Sequence, residues 1–172
     1  NYNDVIEEAT LTVTAKAVTV TGVGGSKVYG EEDPAAFTAN VEGLVGEDSI
    51  TYTVSREAGE NVGHYAVIPS GAASQGNYSV TYENGDFEIT KANTTLAVTG
   101  YNGTYDGEAH GLTVVPAVTE GTTITYSIDG ENWTDEAPSI TNVGSQTYKV
   151  KASNANYNDV IEEATLTVTA KA

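Results

Sequence analysis

The sequence predicts an all-β protein made of two tandem small β-domains in an elongated arrangement. Thr, Val and Tyr recur in short alternating runs, a pattern typical of half-buried strands. Glycine-containing turn signals separate these runs, and no long window has the period of a helix. The chain also repeats itself, because its first seventeen residues are identical to its last seventeen.

This duplication predicts the domain organisation. The copies begin at positions 1 and 156, so the chain is interpreted as a window on a tandem array with a period of 155 residues (156 − 1). Lys91-Ala92 repeats the Lys16-Ala17 that closes the first copy, so a period contains two diverged copies of one domain. The expected divisions are the closing strand of a preceding repeat and two domains: 1–17, 18–92 and 93–172.

In the first domain, alternation predicts several short strands. They are expected at 18–21, 27–29, 37–41, 50–55, 64–68, 78–82 and 87–90. Pro34 lies in an acidic turn with room for a single helical turn at most. Asn84-Gly85 suits a type I′ turn, in which both central residues have positive φ, so the last two strands are predicted to form a hairpin.

In the second domain, strands are predicted at 94–99, 147–152 and 164–169. Asp129-Gly130 predicts a second tight hairpin, with Trp133 on the returning strand. An Ig-like Greek-key sandwich is the preferred fold for this domain. For the first domain, a β-grasp-like mixed sheet stays open beside the Ig-like sandwich, because periodicity does not separate the two.

Composition excludes several classes of partner. Lys plus Arg number 7 against 24 Asp plus Glu, a formal charge of −17, and such a field repels nucleic acid. No apolar run approaches the length of a membrane span, so we expect no membrane insertion of this segment. The absence of Cys excludes disulfides and thiolate metal sites.

Two sets of motifs resemble repeat families of large bacterial surface proteins. Those similar to the MBG domain of the YGX type lie at 27–34, 43–48, 56–63 and 77–78. Those similar to a YDG-type, Ig-like repeat of long adhesins lie at 105–110, 126–133 and 142–144. The resemblance implies a secreted or bacterial cell-surface location, neighbouring identical repeats as partners, and a link to adhesion or mucus. It supplies no catalytic residues.

Reactive chemistry is sparse. His64 and His110 occupy non-equivalent places, and no Gly-x-Ser-x-Gly elbow is present, so we expect no enzyme. Lys27, Lys149 and Lys151 are candidates for Lys–Asn cross-links, with ordinary exposed lysines as the preferred interpretation.

Calcium is the one cofactor considered. Asp33, Asp159 and Glu162 are hard oxygen donors and form the candidate ligand set. Their spacing matches no EF-hand, so a solvated acidic surface without a cofactor is the preferred interpretation.

Three functions are therefore open. The first is a non-catalytic stalk or spacer repeat. The second is an adhesive repeat that binds host glycans or mucin. Trp133, Tyr101 and Tyr105 are the candidates for stacking on a sugar ring, and ordinary packing within the fold is the alternative role for these side chains. The third is a self-assembling fibre, in which the strand at 9–14 exchanges into another copy by strand addition.

Overall fold

The computed structural model describes residues 1–172, and all its regular elements are β-strands, which confirms the predicted class. The first eight strands are β1 (Lys16–Gly22), β2 (Gly25–Val28), β3 (Ala39–Glu42), β4 (Thr53–Arg56), β5 (Gly63–Ser70), β6 (Ser74–Gln75), β7 (Tyr78–Glu83) and β8 (Gly85–Thr90). The others are β9 (Leu96–Thr99), β10 (Tyr101–Thr104), β11 (His110–Gly111), β12 (Thr113–Pro116), β13 (Thr123–Ser127), β14 (Ser139–Ile140), β15 (Gly144–Asn154) and β16 (Tyr157–Thr169). A helix long and apolar enough to cross a membrane is not found.

The chain divides into two compact units. Unit 1 consists of Asn1–Ser26, Asp33–Gly59 and His64–Glu88. Unit 2 consists of Lys27–Glu32, Glu60–Gly63 and Ile89–Ala172. Two short segments from the first half of the sequence therefore belong to unit 2.

A mixed four-stranded sheet of order β3-β1-β7-β6 forms the centre of unit 1. β1 pairs in parallel with β7 and antiparallel with β3. Val18, Val20, Tyr78 and Val80 on β1 and β7 are buried together, since alternate residues of a strand share a face. A second four-stranded sheet has the order β2-β8-β5-β4, so a mixed sheet is present without any helix.

The hairpin predicted around Asn84-Gly85 is wrong. Its two strands exist, as β7 and β8, but they belong to different sheets. Neither Asn84 nor Gly85 has a positive φ, so the type I′ turn is absent. The single helical turn allowed for near Pro34 does not form either.

Glycine explains why β7 continues into another sheet. The chain leaves the first sheet at the end of β1 and again at the end of β7, and the two crossing points lie side by side. A Cβ on Gly85 would be 2.3 Å from the carbonyl oxygen of Gly22, and one on Gly22 would be 2.4 Å from that of Val67. Such close backbone approach is open only to glycine.

Unit 2 contains a four-stranded sheet of order β10-β16-β15-β13 and the two-stranded pairs β12-β9 and β11-β14. Leu96, Val150 and Ala152 form a buried cluster, and Val160 of β16 packs against it. The step from β9 to β10 also uses glycine, since a Cβ on Gly100 would lie 2.0 Å from the carbonyl oxygen of Thr165.

The second predicted hairpin is present in a wider form than the two-residue turn expected. Tyr126 N donates to Thr134 O at 2.8 Å, and Thr134 N donates to Tyr126 O at 2.9 Å. Residues 127–133 form the loop, in which Gly130 has a φ of 82°.

Candidate functional site

The duplicated segment adopts two different states in this chain. The copy at 156–172 contains β16, whereas positions 1–15 form no strand and are exposed. Leu166 is 0% exposed and Val168 is 3% exposed, while the identical Leu11 and Val13 are 97% and 95% exposed. The burial of this segment therefore depends on the strands that surround it, and we call the position that β16 occupies the β16 seat.

Two neighbouring strands form the β16 seat. β15 pairs antiparallel with β16 from Gly144 opposite Val168 to Asn154 opposite Tyr157, with one register shift between Ala152 and Asn154. β10 pairs in parallel with the last part of β16, over residues 166–169. The final part of β16 is consequently hydrogen-bonded on both edges.

Side chains outside the core also fix the register of β16. They form three cross-strand contacts with β15: Ser145 Oγ to Thr167 Oγ1 at 2.9 Å, Thr147 Oγ1 to Thr165 Oγ1 at 2.7 Å, and Lys149 Nζ to Glu163 Oε1 at 3.1 Å. A shift by one residue would break all three and expose the apolar face.

The start of β16 is held by a separate group of contacts within unit 2. The Asn156 side chain accepts a hydrogen bond from Val62 N at 2.9 Å and donates one to Asn61 Oδ1 at 3.1 Å. The ring of Tyr157 meets that of Tyr29 edge to face, with centroids 5.4 Å apart. Asn1 and Tyr2, the corresponding residues of the first copy, are exposed.

The aromatic candidates for glycan stacking do not have equally open rings. The Lys151 ammonium lies 4.3 Å from the centroid of the Trp133 ring, and the indole Nε1 donates to Gly130 O at 3.2 Å. The His110 ring stacks on Tyr101 with centroids 3.7 Å apart and planes 4° apart. Tyr105 is 42% exposed and is the most open of the three candidates.

His110 also contacts a carboxylate. Its Nε2 lies 3.0 Å from Asp106 Oδ1. The backbone N–H of Glu108, and then the His110 ring, hold the pKa of Asp106 below its ordinary value by hydrogen bonding to the charged form.

The calcium candidates occupy ordinary structural roles. Both Nε and Nη2 of Arg56 donate to Asp33 Oδ2, at 3.0 and 2.9 Å. Asp159 and Glu162 are exposed on β16, and an odd spacing along a strand places them on opposite faces. No group of three or more His, Cys, Asp and Glu side chains is arranged to hold a metal ion.

The lysine candidates for cross-linking also have assigned contacts. Lys27 is buried, contrary to the expected exposed lysine. Its ammonium pairs with the Glu60 carboxylate, and this ion pair offsets part of the cost of burying the charge. Lys149 pairs with Glu163, and Lys151 lies over Trp133.

A cavity of about 250 Å³ beside the 127–133 loop was not anticipated from the sequence. Tyr126, Tyr148 and Pro138 form its apolar wall, and Glu136 contributes a carboxylate. The Asp-Gly turn signal indicated a loop there, but it gave no sign of a cavity.

Asp129 also lines this cavity and stabilises the loop. Its carboxylate accepts hydrogen bonds from Ser127 Oγ, from the backbone N–H groups of Glu131 and Asn132, and from the Asn132 side chain. These bonds favour the charged form and hold the pKa of Asp129 well below its usual range. The Asp129 carboxylate is therefore already hydrogen-bonded to groups of its own loop.

One comparison with known proteins concerns the first part of the chain. Residues 11–88 match the family model for the MBG domain (YGX type). Over these residues, which make up less than half of the chain, the protein is similar to that family. The MBG match starts inside the first copy of the duplicated segment and ends within β8, and it confirms the resemblance drawn from the motifs of the first domain.

Two further comparisons accompany the MBG match. Among solved structures, the chain is similar to one described as "Tandem Ig repeats of Dlar", at 13% identity and a TM-score of 0.28, covering 90% of this chain and 97% of that chain. No curated protein matches the sequence. The YDG-type resemblance of the second half stays a prediction.

Proposed function

We propose that this chain is a non-catalytic spacer repeat of a large extracellular bacterial surface protein, with identical repeats as its neighbours. The observation that carries this proposal is the exact duplication of 1–17 at 156–172, together with the MBG match at 11–88. A stalk made of identical repeats can change its length without new contacts, because the neighbour of every repeat has the same sequence.

The connection between repeats in such an array would be very short. β16 ends at Thr169, which corresponds to Thr14, and β1 begins at Lys16, so only Ala15 separates the two strands. A single residue gives neighbouring modules far less freedom than a Gly/Ser-rich linker would. The charge of −17 adds mutual repulsion between modules at low salt.

Chains with increasing numbers of the 155-residue repeat test the spacer function. We expect the maximum dimension measured by small-angle X-ray scattering to grow in proportion to the number of repeats. A matched series with a long Gly/Ser linker inserted after Ala170 should instead approach the square-root growth of flexible chains. Square-root growth in the unmodified series would contradict the spacer proposal.

An adhesive function, in which repeats bind host glycans or mucin, is the second candidate. The cavity bounded by Tyr126 and Tyr148 and the exposed Tyr105 ring favour it, since sugars bind beside aromatic side chains with nearby polar groups. A glycan array probed with one repeat and with several repeats separates the candidates. Binding by a single repeat tighter than about 1 mM, lost on Tyr148→Ala and kept on Tyr2→Ala, would favour adhesion over spacing alone.

A further inference from the structure

We propose that Tyr105, Asn142 and Val143 form a docking surface for the next copy of the repeat, and that Asn77 of that copy is the main residue bound there. The inference rests on the proposed tandem array and deepens it, because it names the side chains through which one repeat contacts the next. Its basis is the set of contacts at the start of β16, which has a counterpart elsewhere in the repeat.

The two halves of the repeat, 18–92 and 93–172, contain equivalent sheets. The order β2-β8-β5-β4 in the first half corresponds to β10-β16-β15-β13 in the second, and each strand has its counterpart in the same chain order. After β2, Tyr29 N donates to Thr90 O at 2.8 Å. After β10, Tyr105 N donates to Thr169 O at 2.9 Å. Tyr105 therefore occupies the position in the second half that Tyr29 occupies in the first.

A second correspondence lies beside β5 and β15. Asn61-Val62 directly precedes β5, and Asn142-Val143 directly precedes β15. The Asn156 side chain binds the first of these dipeptides, since it accepts from Val62 N at 2.9 Å and donates to Asn61 Oδ1 at 3.1 Å. The second dipeptide presents the same groups, a valine N–H and an asparagine side chain, and both of its residues are exposed in this chain.

The path of the chain brings Asn156 to its partners in the first half. The carbonyl of Thr90 accepts from Tyr29 N, and two positions later Ala92 N donates to Asn156 O at 3.1 Å. The strand that leaves the sheet beside Tyr29 is therefore hydrogen-bonded to the start of β16 almost at once. This places the Asn156 side chain next to the residues that precede β5.

In a tandem array the same path brings Asn77 of the next copy to the docking surface. The carbonyl of Thr169 accepts from Tyr105 N, and Lys171 follows two positions later. Lys171 is the counterpart of Lys16, whose N–H donates to Asn77 O at 2.8 Å. The spacing from one hydrogen bond to the next is thus two residues in both halves, and the occupant that it selects is the following repeat.

Asn77 has the chemistry to repeat both contacts of Asn156. Its amide is expected to accept from Val143 N and to donate to Asn142 Oδ1, because an asparagine side chain carries one acceptor and two donors. Asn77 is exposed in this chain, whereas Asn156 is partly buried. The ring of Tyr105, the counterpart of Tyr29, is expected to pack against the start of β7 of the next copy.

A two-repeat protein, made of residues 1–172 followed by residues 18–172, tests the contact. The chain contains no cysteine, so an introduced pair reports on one contact only. Asn142→Cys in the first copy with Asn77→Cys in the second is expected to form a disulfide within about tenfold of the rate of a reference pair, Asn61→Cys with Asn156→Cys in a single repeat. The matched control carries the same two substitutions in exchanged copies and should react at least about tenfold more slowly than the test pair. Equal rates in the two arrangements would overturn the proposal.

Thermal unfolding of the two-repeat protein is a second measurement that needs no disulfide. Asn77→Ala in the second copy removes the proposed hydrogen bonds and is expected to lower the midpoint of one calorimetric transition by about 4–8 °C. The same substitution in the first copy, which follows no other repeat in this protein, should have less than half that effect. Equal shifts for the two copies would rule out the contact. If the maximum dimension still grows in proportion to the number of repeats, the spacer function stands without it.

Discussion

At the scale of single residues, the duplication provides a comparison that few proteins offer. Leu11 and Leu166 have the same flanking sequence, yet Leu11 is 97% exposed and Leu166 is 0% exposed. Local sequence therefore does not determine burial here. The partner strands β15 and β10 do, because they are present around Leu166 and absent around Leu11.

Truncating each leucine measures this difference. Leu166→Ala is expected to lower the free energy of unfolding by about 2–5 kcal/mol, since it removes buried methyl groups and leaves a cavity. Leu11→Ala should change it by less than about 0.5 kcal/mol. Urea denaturation followed by the fluorescence of Trp133, the single tryptophan of the chain and a residue of unit 2, is a suitable measurement. Similar losses in both variants would mean that Leu11 is buried in solution.

His64 provides a test of the electrostatics of unit 1. Its Nδ1 lies 2.9 Å from Asp86 Oδ2, and this hydrogen bond is the main cause that raises the pKa of His64 above 6.5. Because the charged form is favoured in the folded state, the pair contributes stability below pH 6.5 and loses it as the pH rises through the higher folded value.

Titration of His64 by NMR checks this assignment. Asp86→Asn should return the pKa of His64 towards 6.5, because it removes the charge that holds the proton. Glu88→Gln should lower it by less, since Glu88 Oε1 is 4.0 Å from Nε2. An unchanged pKa in the Asp86 variant would show that the two side chains do not pair in solution.

At the scale of elements, glycines control where strands change sheet. Gly22 and Gly85 lie against each other's backbone where β1 and β7 leave the first sheet, and Gly100 lies against β16 in unit 2. Gly85 has no positive φ, so its requirement is for space and not for an unusual backbone conformation.

Gly85→Ala is therefore expected to lower the stability of unit 1 by about 1–3 kcal/mol, because the added methyl group would overlap the Gly22 carbonyl oxygen at 2.3 Å. Gly144→Ala is the matched control. The nearest atoms to its Cβ would be 3.9 Å away, so its effect should stay within about 0.5 kcal/mol. Differential scanning calorimetry measures both variants. A neutral Gly85→Ala would show that the two crossing points can move apart.

The same elements show what the sequence could and could not predict. Alternation located most strands, because apolar side chains every second residue have to face a core, as in β1 and β7. The turn predicted from Asn84-Gly85 does not form, because the backbone of Gly85 packs against that of Gly22. This contact between residues distant in sequence overrides the local turn preference.

The candidate site was only partly predictable, for a related reason. The duplication visible in the sequence was enough to single out residues 1–17 and 156–172. The contacts at the start of β16 were not predictable, because Asn61, Val62 and Tyr29 lie far from Asn156 and Tyr157 in the sequence. Non-local pairs leave no periodic signal in one sequence.

At the scale of the whole molecule, charge is the dominant property. The 24 acidic residues outnumber the 7 basic ones, and a net charge of −17 opposes compaction through self-repulsion. Added salt screens this repulsion over distances of about 10 Å at 0.1 M. Screening depends on the ionic strength and on the valence of the ions, whereas a specific site depends on which ion is present. Screening and specific ion binding can therefore be separated by comparing different salts.

The thermal unfolding midpoint should therefore rise as NaCl is increased from about 0.01 M to about 0.5 M, with KCl giving the same curve. CaCl₂ and MgCl₂ at matched ionic strength should also coincide with each other, because Asp159 and Glu162 lie on opposite faces of β16 and Asp33 is paired with Arg56. Calorimetry with each salt, repeated on Asp159→Asn/Glu162→Gln, is the appropriate measurement. A rise with calcium alone that disappears in the variant would contradict the screening account and assign a calcium site to β16.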